Sequence, residues 1–289
     1  MTVTVRVIRA GDKTPLESFL SRHRDTTMFL RTGLLLEGVF DPRPPATYAA
    51  AFEGAAVVGA AMHAENGHIV LEAPVALPEI VRTAVGASGR AVTGFVGRWR
   101  QTTAARATFG LTAAPAQFEK QQELYALDLA RLVVPEALAN GWLRCRRPTA
   151  AEVPLLTEWR VAYRQESFNS PAGPALITSS RQEVERAFAD GASWLLEDEG
   201  RPVAYQHFNA RLPDIVQVGG VWTPPDLRGR GYARAVVAGS LLAARAQGAL
   251  RAVLFTDDDN RPAQRAYVAL GFERVGDYGL VILAQPARP

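Results

Sequence analysis

Short alternating or wholly apolar runs recur along the chain and give way to longer stretches with helical spacing. The run VTVRVI near the N-terminus and LRCR near the middle each lead through a polar turn into an amphipathic stretch, TPLESFLSR in one case and VPLLTEWR in the other. A period of two predicts strands, and apolar residues at i, i+3 and i+4 predict helices. Further on, YAAAFEGAAVVGAAMHAENGHIVLEAP and WLLEDEGRPVAYQHFNARLPDIVQVGG both read as strand, glycine turn, strand, loop, strand. Val58 and Val203 correspond when the two are aligned. Order and spacing agree together, which predicts an internal duplication. Pro135 and Gly141 interrupt the pattern in VVPEALANGWL. The chain therefore divides into a first domain over 1–132, a linker over 133–143 and a second domain over 144–289. Strands alternating with helices indicate an α/β (α+β) architecture.

Composition narrows the class. Hydrophobic residues make up 48% and charged residues 21% of 289, the balance of a water-soluble globular protein. A net charge of +3 is too small for a nucleic-acid-binding field. No segment approaches the ~18 consecutive apolar residues of a membrane span, and MTVTVRVIRAGDK has no apolar leader core. Cys145 is the single cysteine, so no internal disulfide framework exists, which fits a cytoplasmic protein. Four His and one Cys show no zinc-like spacing.

The most informative stretch begins at DIVQVGGVWT, a predicted strand with two glycines, Gly219 and Gly220, inside it. Glycine in a strand marks a bulge or a close backbone approach. Pro224 and Pro225 end the strand. Arg228-Gly229-Arg230-Gly231-Tyr232-Ala233 follows, and then a helix is predicted with Tyr232, Ala235, Val236, Gly239, Leu242, Ala243 and Ala246 on its apolar face and Gly248 at its end. An Arg/Gly turn at a helix N-terminus suits an anion. Unpaired N–H groups and the positive dipole end point at it, glycines let it approach, and guanidinium groups add charge. The matching place in the first half, APVALPEIVRTAVG, lacks this turn, so the site is expected in the second half alone.

LRAVLFTDDDN then reads as a strand leaving at Thr256. Asp257, Asp258 and Asp259 precede Asn260-Arg261-Pro262, where a helix starts; acidic residues suit its dipole and Pro262 its first turn. Three adjacent carboxylates cannot converge on one ion, so no metal site is assigned. Gly271 marks the helix end, and GFERVGDYGLVIL predicts a closing strand pair. No G-x-G-x-x-G follows a strand, which excludes a dinucleotide-binding fingerprint.

These residues resemble the GNAT N-acetyltransferase superfamily. Its cofactor loop, (R/Q)-x-x-G-x-(G/A), is met by Arg228, Gly231 and Ala233. Its following pattern, N-x-x-A-x-x-x-Y-x-x-L-G-F, is met by Asn260, Ala263, Tyr267, Leu270, Gly271 and Phe272. The resemblance covers about residues 200–275 and continues more loosely back to about 145. Over 1–132 it rests on the repeat. It implies a tandem protein of two GNAT-like domains, the first degenerate, each a mixed, mostly antiparallel twisted sheet flanked by helices.

The resemblance also implies a mechanism. Two parallel strands splay apart, and the pantetheine of acetyl-CoA, or of another acyl-CoA, pairs with the edge at Val221, Trp222 and Thr223. The pyrophosphate rests on the amides of Arg228, Gly229, Arg230, Gly231, Tyr232 and Ala233. Asn260, Ala263 and Tyr267 lie near the pantetheine arm and the thioester. A primary amine of a small molecule, peptide or protein attacks directly, and Tyr267 serves as general acid. Glu166, His207 or a water relay takes the amine proton. The expected partners include neither nucleic acid nor membrane, and the chain is expected as a monomer or homodimer. A non-catalytic CoA-binding module is the alternative.

Overall fold

The computed structural model describes residues 2–36 and 46–288. Two compact units result: Met1–Glu123 together with Gly276–Pro289, and Leu124–Val275. Among the described residues no helix is long and apolar enough to cross a membrane.

In the first unit, β1 (Val3–Val7), β2 (Thr47–Glu53), β3 (Ala56–His63), β4 (His68–Glu72) and β5 (Val92–Gly97) lie side by side in that order. Neighbours are antiparallel except β4 and β5, which run parallel. Helices α1 (Lys13–Arg22) and α2 (Met28–Leu36) connect β1 to β2, α3 (Leu77–Ser88) connects β4 to β5, and α4 (Trp99–Thr108) follows β5. The free edge of β5 is taken by β12 (Glu273–Ala287), antiparallel from Gly279 onward. Ile69, Leu71, Ile80, Phe95 and, from β12, Val281 form one buried cluster. Each such side chain contributes about 1.5–3 kcal/mol on burial.

The second unit repeats the plan. Strands β7 (Leu143–Arg146), β8 (Ser193–Asp198), β9 (Arg201–Arg211), β10 (Ile215–Trp222) and β11 (Arg251–Asp257) are consecutive neighbours, and only β10 and β11 are parallel. Helices α6 (Val153–Phe168) and α7 (Pro174–Ala189) join β7 to β8, α8 (Tyr232–Ala246) joins β10 to β11, and α9 (Arg261–Val268) follows. Strand β6 (Ala116–Asp128) enters this unit at Leu124 and lies beside β11. Val58 on β3 and Val203 on β9 occupy the same central strand of their units. Both units open on the same arginine fork six residues ahead of a carboxylate. Arg6 Nη2 donates to Asp12 at 2.7 Å, and Arg146 donates to Glu152 at 2.9 and 2.7 Å.

Four details depart from the sequence expectation. The stretch 133–143 is no loose linker: it holds a short helix, α5 (Glu136–Ala139), and Val134, Ala137 and Leu138 pack on the second core. The closing strand pair is a single 15-residue strand, because neither Gly276 nor Gly279 turns to positive φ. Gly279 is needed for space, since a β-carbon there would strike Thr102. Residues 276–289 group with the first unit, because β12 supplies the partner of β5. The buried face of α8 is also wider than expected. Val237, Ala238, Leu241 and Ala244 are buried and Ala246 is exposed, because the helix covers β7, β8, β9 and β10 together. Gly239 permits that approach, since a β-carbon there would overlap Cys145.

Candidate active site

The geometry of the site begins where two parallel strands stop pairing. β10 and β11 are in register from Ile215 with Arg251 to Gln217 with Val253. Past Gln217, β10 continues to Trp222 and β11 to Asp257, so their carboxyl ends stand apart. The cause lies in β10 itself. Its pairing with β9 slips at Gln217/Val218 and again between Gly219 and Trp222. Gly220 has φ +55°, and a β-carbon on it would overlap the His207 ring; one on Gly219 would overlap Asn209. A strand bulged in this way bends out of its ladder. In the first unit the equivalent pair stays closed. β4 and β5 pair from His68 with Gly94 to Leu71 with Gly97, almost to their ends. Beyond that point Glu72 is buried and takes hydrogen bonds from Arg98 and Gln101.

Beyond the opening, Pro225–Leu227 forms one 3-10 turn and the chain enters α8. Gly229 and Gly231 have φ +79° and +83°, a conformation that side chains with a β-carbon rarely adopt. No side chain caps α8, whose first residue is Tyr232. The first-turn amides of a 15-residue helix thus face outward at a positive dipole end. Arg230 is exposed, and the Arg234 guanidinium folds back towards Gly231. Arg234 was assigned no role from sequence; only the turn geometry brings it to this place. The Tyr232 side chain is spent on the fold, its hydroxyl donating to Asp198. Its contribution to the turn is its main chain.

Arg228 is tied down. Its Nε donates to Thr223 O at 3.1 Å, its Nη2 to Glu166 Oε2 at 2.9 Å, and its guanidinium lies 4.9 Å from the Trp222 ring centre. Glu166, expected as a possible base, is instead the exposed ion-pair partner of this arginine. Trp222 is buried, and neither its Nε1 nor Thr223 Oγ1 has a hydrogen-bond partner among the described residues. Val221 is partly buried against the second core.

Across the opening stands α9. Asn260 caps it, its side chain accepting from Ala263 N at 3.2 Å. This bond occupies the Ala263 amide, and the Ala263 side chain packs on the core, so that residue has little left for a ligand. Tyr267 is 9% exposed and meets Phe272 edge-on at 6.0 Å. Burial, followed by the charge of nearby Tyr163, drives its phenol well above the ordinary range, which keeps the proton on the oxygen at neutral pH. Tyr163 of α6, not singled out from sequence, also meets the Trp222 ring edge-on at 6.3 Å. Its phenol is raised too, mainly by burial. Only the packing of α6 over β10 reveals it.

His207 lies on β9 beside Gly220, with Nδ1 3.3 Å from Tyr205 Oη. Burial first, and then the Arg160 charge, lower its pKa to about 3, against a smaller opposing hydrogen bond with Asn209. An imidazole so weakly basic stays neutral at pH 7 and is ill suited to hold a proton from an amine. Cys145 is partly buried against Val236 and its thiol is pushed up to about 12 by desolvation, so it is no nucleophile. Among the described residues no three of His, Cys, Asp and Glu gather as a metal site.

The open parallel pair runs into a glycine-started helix on a mixed and mostly antiparallel sheet. Residues 154–272, within the second unit, match the model of the acetyltransferase (GNAT) family. Solved structures extend the likeness to the first unit. A tandem GNAT protein from the clavulanic acid biosynthesis pathway superimposes with TM-score 0.53 at 14% identity, covering 100% of this chain and 99% of its own. A GCN5-related N-acetyltransferase from Sphaerobacter thermophilus gives TM-score 0.58 at 14% identity, over 99% and 96%. A Drosophila protein gives TM-score 0.67 at 11% identity, over 96% and 98%. At these identities the likeness is one of fold. No curated protein matches the chain in sequence.

Proposed function

We propose that the second unit transfers an acyl group from acetyl-CoA, or another acyl-CoA, to a primary amine by direct attack within a ternary complex. One observation carries the reading: the unpaired edge of β10 leads straight into the uncapped, glycine-started N-terminus of α8. The residues fit the cofactor. The amides of Arg228 to Ala233 receive the diphosphate, with Arg230 and Arg234 adding charge. Arg228, fixed by Glu166 and Trp222, shapes the turn as much as it binds. The edge of Val221, Trp222 and Thr223 is open to pair with an extended pantetheine amide. Asn260 retains its side-chain N–H groups for the same arm.

Bound acyl-CoA supplies an activated thioester. The amine nitrogen attacks the thioester carbon, the C–S bond breaks, and the sulfur takes a proton. Tyr267 Oη is neutral at pH 7 and donates that proton through a hydrogen bond to the sulfur, and solvent restores it. The proton released by the amine leaves through water, since Glu166 is engaged by Arg228 and His207 is too weak a base. The first unit, with its pair closed and Glu72 buried, takes no part in holding the cofactor.

Calorimetry with CoA and thiol release from acetyl-CoA in the presence of pooled amines test this directly. Heat on CoA addition and amine-dependent thiol release are expected. Absence of heat at millimolar CoA overturns the assignment, and binding without thiol release reduces the unit to a CoA-binding module.

A further inference from the structure

On its α6 side the sheet of the second unit carries polar groups where a core is usual. Val216 and Val218 pack in the cluster beneath α8, so alternation sends Gln217 to the opposite face. Gln217 is 1% exposed, and neither its Oε1 nor its Nε2 has a partner among the described residues. Tyr205 and His207 share this face, Tyr205 packing with Leu156 of α6 and Val184 of α7.

Arg160 of α6 reaches into the middle of these groups. Its side chain is 13% exposed and its Nε donates to Glu183 Oε2 at 2.7 Å. Its guanidinium lies 4.9 Å from the Tyr163 ring centre, and a β-carbon on Gly220 would stand 3.1 Å from its Nη1. That Nη1 is buried and has no hydrogen-bond partner among the described residues. Its charge is felt by Tyr163, Tyr205 and His207. Arg164 Nη1 shares Glu183 at 3.2 Å, so two guanidinium groups face one carboxylate, and His207 is neutral. Asp257, at the end of β11, acts on Tyr163 with the opposite sign. A buried, charged donor left unmet is costly, and a charged acceptor that meets it recovers part of that cost. The unmet donor lies at Gly220, past the last pair of β10 with β11 and next to the edge at Val221, Trp222 and Thr223 that the reading above gives to pantetheine.

We propose that Arg160 anchors the carboxylate of the acceptor, so that the amine substrate is an amino acid or another primary amine carrying a carboxylate. This rests on the acyltransferase reading and specifies its substrate class. The carboxylate accepts from Arg160 Nη1 beside Gly220, and the amine extends towards the opening between β10 and β11. A polyamine or aminoglycoside would bring further positive charge to a place that already holds two guanidinium groups, and it lacks a carboxylate to meet Arg160 Nη1.

The test compares matched pairs with the full chain and acetyl-CoA: alanine with ethylamine, phenylalanine with phenethylamine, lysine with cadaverine. At least one amino acid is expected to exceed its decarboxylated partner in kcat/KM by about tenfold or more, the value of one charge-assisted hydrogen bond. Arg160→Gln is expected to raise KM for that amino acid by a similar factor, with Kd for CoA unchanged by calorimetry, and Arg160→Lys to recover part of the loss. The pair comparison needs no variant, so it stands even if Arg160→Gln folds poorly. Equal or faster turnover of the decarboxylated amines overturns the proposal and leaves the acyltransferase reading intact. So does CoA binding with no acetylation of any carboxylate-bearing amine, or an unchanged KM in a folded Arg160→Gln protein. Absence of CoA binding defeats both readings, and calorimetry alone reports it.

Discussion

Tyr267 and His207 illustrate how burial assigns opposite parts to two titratable side chains of one domain. Desolvation leaves the phenol neutral and able to donate a hydrogen bond, and it strips the imidazole of its basicity. Removing the donor should therefore be expensive for catalysis and cheap for binding. Tyr267→Phe is expected to slow thiol release by about 100-fold or more while CoA heats persist, and unchanged turnover would remove the phenol from the mechanism. The imidazole has a signature in stability. Its folded pKa of about 3 lies below the ordinary value of ~6.5, so between the two the unfolded chain binds the proton more readily. Its contribution is complete above pH ~6.5 and is lost as pH falls towards 3. Urea unfolding near pH 7 and near pH 5 should show the wild type losing about 1–2 kcal/mol more than His207→Gln over that interval. Equal losses would mean that His207 is protonated in the folded state without penalty.

At the scale of elements, the start of α8 combines a backbone requirement with a binding requirement. Gly231 caps the helix at φ +83°, and a β-carbon there meets nothing nearer than Arg234 Nη2 at 3.8 Å. The folding cost of Gly231→Ala should thus be that of the backbone conformation, about 1–2 kcal/mol by thermal or urea unfolding. A separate effect on CoA is expected, because the methyl group would stand where a phosphate approaches the amides. A Kd for CoA raised by about tenfold is expected, and an unchanged Kd would move the diphosphate off this turn. The turn was legible in the sequence because glycine, arginine and proline act locally, and so were the strand with two glycines and the helix between Asn260 and Gly271. What remained hidden depends on contacts between distant segments. Nothing in the string RVAYRQESF marks Arg160 and Tyr163 as neighbours of Gly220 and Trp222, or Glu166 as the partner of Arg228. The extended run through Gly276 and Gly279 was misread as a strand pair, because glycine in sequence does not reveal whether its φ is positive or merely its volume small.

At the scale of the whole chain, the two units repeat one plan, yet their boundaries do not fall where the sequence pattern breaks. Pro135 and Gly141 interrupt the periodicity, but Tyr125, Leu127, Leu129 and Leu132 upstream belong to the core cluster of the second unit, and Leu129 N donates to Leu250 O at 2.9 Å. Downstream, Tyr278, Val281 and Leu283 are buried with the first unit. A fragment over residues 144–289 loses five buried apolar core members at its start, Leu143 together with the four above, and carries at its end a strand whose partner β5 is missing. Each lost core side chain costs about 1.5–3 kcal/mol, and five together fall within the range of about 5–15 kcal/mol that holds an ordinary domain folded. A fragment over residues 124–275 keeps the whole cluster. The longer-reaching C-terminal fragment should therefore be the worse one: 144–289 is expected to lack a cooperative thermal transition, and 124–275 to show one. Comparable melting of the two by circular dichroism would mean that residues 124–143 are dispensable to the second core and that the periodicity break is the true boundary.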